Sequence, residues 1–326
     1  MKRREFIAGF CATTVGLRVA YAQDGRVRRI GMLNGGEESD HFIQARHTAL
    51  REHLGKLGWI AGNNARFDVR FAEADPARMR AHADELVRLA PDVIFVSSGP
   101  TARTLLQRTQ TIPVVFANVG DPVALGLLKN IARPEGNATG IAGQYQSIGG
   151  KWVELLKDAV PHVDRVALIF AADNINEQYF AVIGAAAELM AVKTIRAPYR
   201  SPVELEHAVD TFAAEPNGGL LMLPPPPSPY NRALINRLAI KHRLPTMYQN
   251  KYYPAEGGMM GYGADSLEVY RIAGSYIDRI LRGAKINELP VQFPTKFDLA
   301  INLKTARAIG VTIPQSVLLR ADEVIE

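Results

Sequence analysis

The sequence predicts an α/β protein built as two doubly wound parallel-sheet lobes joined by a multi-crossover hinge. Three observations carry this. Short β-branched runs alternate with longer amphipathic segments from Val27 onward. The alternation breaks at "ARPEGNATG" and then restarts. A connector rich in Gly and Tyr, "NKYYPAEGGMMGYGAD", is followed by more helix and strand. Strands separated by helices of this length require right-handed βαβ crossovers and therefore parallel sheets. At 326 residues the chain has room for two such units, at roughly 100 to 200 residues each.

The first 22 residues stand apart. "MKRREFIAGFCATTVGLRVAYA" has a basic start, a short apolar run and an Ala20-Tyr21-Ala22 end, the pattern of an export leader cleaved after Ala22. Arg3-Arg4 before Glu5-Phe6-Ile7 resembles a twin-arginine signal, with Lys2 and Ala8 off its usual flanks, so both export routes stay open. Lys2, Arg3, Arg4 and Arg18 against Glu5 carry +3 of the formal +5, which leaves the mature chain near +2. Its basic residues are interspersed with acids, so no nucleic-acid footprint is expected. The single Cys, Cys11, leaves with the leader, and with it go disulfides and thiol chemistry. No later apolar run approaches the roughly 18 residues that span a bilayer, so the mature chain is expected in the periplasm without membrane insertion.

In the mature chain "VRRIGML" reads as strand, Phe42 to Leu57 as helix, "ARFDVRF" as strand and Pro76 to Leu89 as helix. "DVIFVS", Thr101 to Thr109 and "PVVFANV" continue the alternation as strand, helix and strand, and "VALGL" after Asp121-Pro122 has the spacing of a further helix. After the break, "KWVELLKDAV" reads as helix, "RVALIF" as strand, Gln178 to Met190 as helix and "KTIRAP" as strand. Pro202 to Ala214, "GLLML", Tyr230 to His242 and "PTMY" follow the same rhythm. Leu267 to Leu281 is a strongly amphipathic helix, and "FDLAINLKTARAIGVTIP" ends the chain as strand and helix. The expected division is 27–143 plus about 259–284 as lobe 1, 144–258 as lobe 2, and 285–326 as a hinge and C-terminal segment packing on lobe 2.

Signatures of enzymes are missing. His41, His47 and His53 recur every six residues on one helix and so fall on different faces, which rules out an i, i+4 metal pair. "GQYQSIGGKW" is one residue too long for a phosphate loop and puts Trp152 where a Ser or Thr must hold magnesium. No dinucleotide fingerprint follows the first strand, and no nucleophile elbow occurs. No catalytic residue, metal or cofactor is expected.

"LGWIAGNNARFDVRFAEAD", "APDVIFVSSGPTA", "TIPVVFANVGDPVALGLLKNIARPEGNATG", "GGKWVELLKDAVP", "GGMMGYGAD" and "PTKFDLAINLKTARAIGVTIP" together span nearly the whole mature chain. With them the sequence resembles the type I periplasmic solute-binding proteins of ABC transporters, in the tryptophan/tyrosine-type branch. The resemblance implies a monomer that holds a small-molecule solute between two α/β lobes. It also implies delivery to an ABC permease with its ATPase subunits. A ligand-sensing role beside a membrane receptor, without transport, is the alternative.

In open parallel sheets the ligand crevice lies beyond the carboxyl ends of the strands, so strand-to-helix loops are the places to look, in lobe 1 Asn34 to Asp40, Ser97 to Thr101 and Asn118 to Pro122. In "SSGPT" a helix begins at Ser98 or Gly99, and its free amides with the Ser98 and Thr101 hydroxyls suit a ligand carboxylate. The same hydroxyls could serve only as caps. In "NVGDP", Asn118 and Gly120 border the crevice, Gly120 through dihedrals barred to other residues. Asp121 can cap the following helix, accept a ligand ammonium, or do both. Lobe 2 offers Asp173 and Asn174 after "RVALIF", and a stiff proline wall that includes Pro225. Tyr145 at the first crossover, Tyr248 at a strand end, and Tyr252 or Tyr253 are stacking candidates, although a lone Tyr is more often packing than a contact. The expected solute is a small carboxylate-bearing one, with an aromatic or branched amino acid favoured.

Overall fold

The first lobe runs β1 (Arg28–Asn34), α1 (His41–Lys56), β2 (Ala65–Phe71), α2 (Pro76–Arg88), β3 (Val93–Val96), α3 (Gly99–Leu106), β4 (Val114–Val119) and β5 (Ala138–Ala142). The computed structural model describes residues 26–143, 147–173, 177–224 and 227–326, so the leader, its cleavage site and Cys11 lie outside it. The five strands pair in the order β2-β1-β3-β4-β5, all parallel. A sheet of this kind is covered on both faces, which is why its central strands are apolar without alternation. All four residues of β3 are buried. On one face Ile30, Met32, Phe95 and Val115 meet Leu50 and Leu54 of α1; on the other, Leu33, Ile94, Val96 and Phe116 meet Met79 and Leu105.

The second lobe runs α4 (Ile148–Ala159), β6 (Arg165–Ala171), α5 (Glu177–Leu189), β7 (Lys193–Tyr199), α6 (Pro202–Ala213), β8 (Gly218–Met222), α7 (Pro229–His242), β9 (Thr246–Tyr248) and, after a 3-10 turn at Tyr253–Glu256, β10 (Met260–Ala264). The chain then forms α8 (Ser266–Leu281), β11 (Phe297–Asn302), α9 (Leu303–Ala308), α10 (Gln315–Leu318) and β12 (Glu323–Ile325). Among the described residues the second sheet has seven strands in the order β12-β11-β10-β9-β8-β6-β7. All its pairs are parallel except β10 with β11. Helix starts are legible throughout: Asp40, Asp75, Ser98, Ser201, Ser228 and Asp265 each cap an amide of the first turn, and α2, α3, α6 and α7 carry Pro there.

Two expectations about chain path are corrected. The expected return to lobe 1 near residue 259 is too early, because Met260–Ala264 is a strand of the second sheet between β9 and β11. Only with α8 does the chain reach the first lobe, where Val269, Tyr270, Ala273 and Ile277 join its core. The stretch from Leu289 also stays there instead of packing on lobe 2. Val291 donates to the Ile131 carbonyl at 2.7 Å, Ala142 to that of Gln292 at 2.8 Å, and Gln292 to that of Gly140 at 3.1 Å. From Phe297 onward the chain completes the second sheet. Three connections therefore join the lobes: after β5, at Asp265, and between Gln292 and Phe297.

A third correction concerns the segment after Asp121. It forms one helical turn, with Leu125 N donating to Asp121 O at 3.0 Å, and then stops at Gly126, whose φ is +67°. No regular helix follows.

Candidate functional site

Asp40 at the start of α1 and Arg232 in the first turn of α7 meet at 3.1 Å. This contact sets the carboxyl ends of β1 and β8, and the helix amino ends that follow them, on facing sides of the space between the lobes. The candidate site is assembled from such ends.

At the end of β1, Asn34 is 3% exposed. Its Oδ1 accepts from Gly36 N at 2.8 Å, and its Nδ2 lies 3.1 Å from His47 Nε2. An amide nitrogen only donates, so His47 Nε2 accepts and the ring is neutral. Burial lowers the His47 pKa to about 4, helped by the nearby charges of Arg51 and Arg46. The pair fixes the Gly35-Gly36 loop beside α3, where a Cβ on Gly35 would stand 3.3 Å from Ser98 Oγ.

At the end of β3, Ser98 caps α3, and Thr101 closes a reciprocal box. Thr101 Oγ1 accepts from Ser98 N at 3.1 Å and donates to Ser98 O at 2.9 Å, while the two hydroxyl oxygens lie 2.9 Å apart. Thr101 is fully buried. Its expected place on the ligand is therefore corrected: it holds Ser98 in position, and Ser98 and Gly99 remain partly accessible.

At the end of β4 the register with β5 shifts between Ala117 and Val119. Asn118 sits in that irregularity with φ +54° and is half-buried. Gly120 keeps ordinary dihedrals, and a Cβ there would touch nothing within 4 Å. The unusual backbone expected of Gly120 thus belongs to Asn118, a residue type that tolerates it. Asp121 Oδ1 accepts from Val123 N at 2.9 Å and Ala124 N at 3.0 Å. Its Oδ2 has no hydrogen-bond or ion-pair partner among the described residues. This turn lies against α3, since a Cβ on Gly99 would come within 3.1 Å of the Leu125 side chain.

On the second lobe Asp173 is exposed in the turn after β6, whereas Asn174, Pro225 and Tyr145 lie outside the described residues. Tyr248 is corrected: it is fully buried, donates to Asn236 Oδ1 at 2.8 Å, and burial raises its pKa, so it is a core residue that cannot stack on a solute. Tyr252 and Tyr253 stand next to Phe42 of the first lobe, with ring centroids 5.7 and 5.3 Å away.

Sequence reading placed Asp40 at the end of a cleft loop without giving it a role, and missed Arg232 and Glu256. Arg232 is 2% exposed and shares a buried stripe of α7 with Ile235, Asn236 and Ala239. An arginine in a buried stripe requires buried acceptors, and that spacing was the available signal. Burial works against the Asp40 carboxylate, but the charge and hydrogen bond of Arg232, with the Phe42 amide, hold its pKa below the ordinary value. Among the described residues no cluster of His, Cys, Asp and Glu suits a metal ion.

Two α/β lobes, three connections and polar strand ends bordering the space between them define a two-lobed binding protein. The profile of the family "ABC transporter substrate binding protein" matches residues 39–325, and the chain belongs to that family. The crystal structure of a conserved domain protein from Vibrio cholerae superposes with a TM-score of 0.83 at 26% identity, over 92% of this chain and 100% of that one. An ABC domain from Streptococcus pneumoniae, solved in complex with L-Trp, superposes with a TM-score of 0.81 at 23% identity, over 91% and 99%. A tyrosine-binding protein of Clostridioides difficile is 22% identical over 261 residues, 78% of this chain and 73% of that relative. The family is one of substrate-binding proteins and not of enzymes, the pneumococcal neighbour holds L-Trp and the clostridial relative is named for tyrosine, and the fold is that of type I periplasmic binding proteins. The family is periplasmic or extracytoplasmic, and no helix among the described residues is long and apolar enough to cross a membrane.

Proposed function

We propose that the protein is the solute receptor of an ABC importer and holds an aromatic amino acid between its lobes. One observation carries this reading. The amino end of α3, with Ser98 and Gly99, lies beside the Asp121 turn, whose Oδ2 is unpartnered among the described residues. A helix amino end attracts a carboxylate and a free carboxylate oxygen attracts an ammonium, so the two suit the two ends of a zwitterion. Relatives named for tyrosine and complexed with tryptophan support an aromatic side chain. In this reading Asn118, Gly120 and Asp173 border the solute, with Tyr145, Asn174 and Pro225 as further contacts.

The lobes close about the three connections. A solute that touches both lobes favours the closed form by the contacts it gains there. The leader directs export and is cleaved after Ala22, and the loaded monomer docks on a permease with ATPase subunits. Calorimetric titration of the mature protein with L-tyrosine, L-tryptophan and L-leucine, and with tyramine and 3-(4-hydroxyphenyl)propionate, tests the site. An amino acid is expected to bind, and loss of either charged group to weaken it about tenfold or more. Binding of neutral sugars alone, or tyramine equal to tyrosine, overturns the zwitterion site.

A further inference from the structure

At the helix starts that follow β1 and β8, one group of side chains ties the lobes together directly. Arg232 donates through Nε and Nη2 to Glu256 at 2.6 and 3.1 Å, and through Nη1 to the Pro227 carbonyl at 2.9 Å. All three of those bonds stay within the second lobe. Its remaining ion pair crosses to the first lobe, where Nη1 meets Asp40 Oδ2 at 3.1 Å. The other Asp40 oxygen caps α1 by accepting from Phe42 N at 2.9 Å. Phe42 covers the pair, with the guanidinium carbon 5.5 Å from its ring and 5.1 Å from that of Tyr253. The side chain of Arg232 is 2% exposed and that of Asp40 8%.

A dry guanidinium is costly unless its N–H groups find acceptors, and a dry carboxylate likewise. Glu256 and Pro227 satisfy Arg232 within its own lobe, so the fold of the second lobe does not need Asp40. Asp40 in turn completes its cap without Arg232. What the pair adds is a contact between lobes that involves no solute atom. We propose that the Asp40–Arg232 ion pair is a closure element, formed when the lobes approach and broken when they part. It would thereby set solute affinity without touching the solute. The apparent dissociation constant of a receptor whose competent form is partly populated is the intrinsic one divided by that population. This inference rests on the reading of the cleft as a solute site that opens and closes.

Asp40→Asn isolates the pair. Asn caps a helix as well as Asp does, and Arg232 keeps Glu256, so the variant should fold with a urea midpoint near that of the wild type. Its affinity for L-tyrosine or L-tryptophan is expected to fall about tenfold, within the range that couplings between sites span. At saturating solute the radius of gyration from small-angle scattering should match the wild type. Unchanged affinity overturns the proposal, because the pair would then persist in open and closed forms alike as a fixed pivot contact. If wild type binds neither amino acid, the zwitterion reading fails and solute-free scattering decides. A larger radius for Asp40→Asn than for wild type then upholds the closure element, and equal radii overturn it.

Discussion

Asp121 uses one carboxylate oxygen on two backbone amides and keeps the other, so Asp121→Asn separates its two possible roles. The amide oxygen preserves the cap, and the charge is lost. Solute affinity is expected to drop about tenfold, with a thermal midpoint close to wild type. A drop in midpoint without a change in affinity would make Asp121 a cap alone. His47 gives a second residue-level prediction. Its folded pKa, about 4, lies below the ordinary 6.5, so between these values the unfolded chain binds a proton that the folded one refuses. The stability it permits is complete above pH 6.5 and declines as pH falls toward 4, by about 3 kcal/mol. Urea unfolding from pH 4 to 7 should show this slope, and His47→Gln, which keeps an acceptor for Asn34, should flatten it.

At the scale of elements, β10 depends on Gly261. A Cβ there would collide with the Asn250 carbonyl, because the backbone leaving β9 packs directly on that position of its parallel neighbour β10. Gly261→Ala is expected to cost about 3 kcal/mol in urea unfolding, since backbone must move where no flexible side chain can yield. The same element shows why boundaries were hard to read. "GGMMGYGAD" resembles a connector by its glycines, yet they are what lets a strand lie flush against its neighbour, with Met259 and Met260 fully buried. By contrast, the starts of helices with an Asp or Ser cap and Pro in the first turn, as in α2, α3, α6 and α7, were visible to within two residues. Their caps are local chemistry. After Asp121-Pro122 the same start led only to one turn, because Gly126 takes a left-handed dihedral and ends it.

For the whole molecule the hinge is the part whose energetics can be tested. Lys251 of the second lobe contacts Asp265, on the second connection, at 3.2 Å, and also Asp298 at the start of β11. The Tyr252 hydroxyl donates to Asp265 at 2.6 Å. Asp298 is 1% exposed, and its other cation, Lys296, is a largely exposed side chain 3.4 Å away. Lys251→Met would strand a buried carboxylate. An expected loss of about 3 kcal/mol follows, measurable by urea unfolding and lessened by pairing the change with Asp298→Asn.

What the sequence determined by itself is the alternation of apolar runs and capped helices, hence two parallel-sheet lobes, and the loops after β1, β3 and β4 as the places where a site is to be sought. Those features depend on neighbours within a few residues. Only the tertiary structure decided that Thr101 and Tyr248 are interior and that the strained residue is Asn118 and not Gly120. It also decided that β10 belongs to the second sheet, and that Asp40 meets Arg232 from 192 positions away. Each of these turns on which surfaces are brought together and kept from water, and burial is a property of the assembled chain.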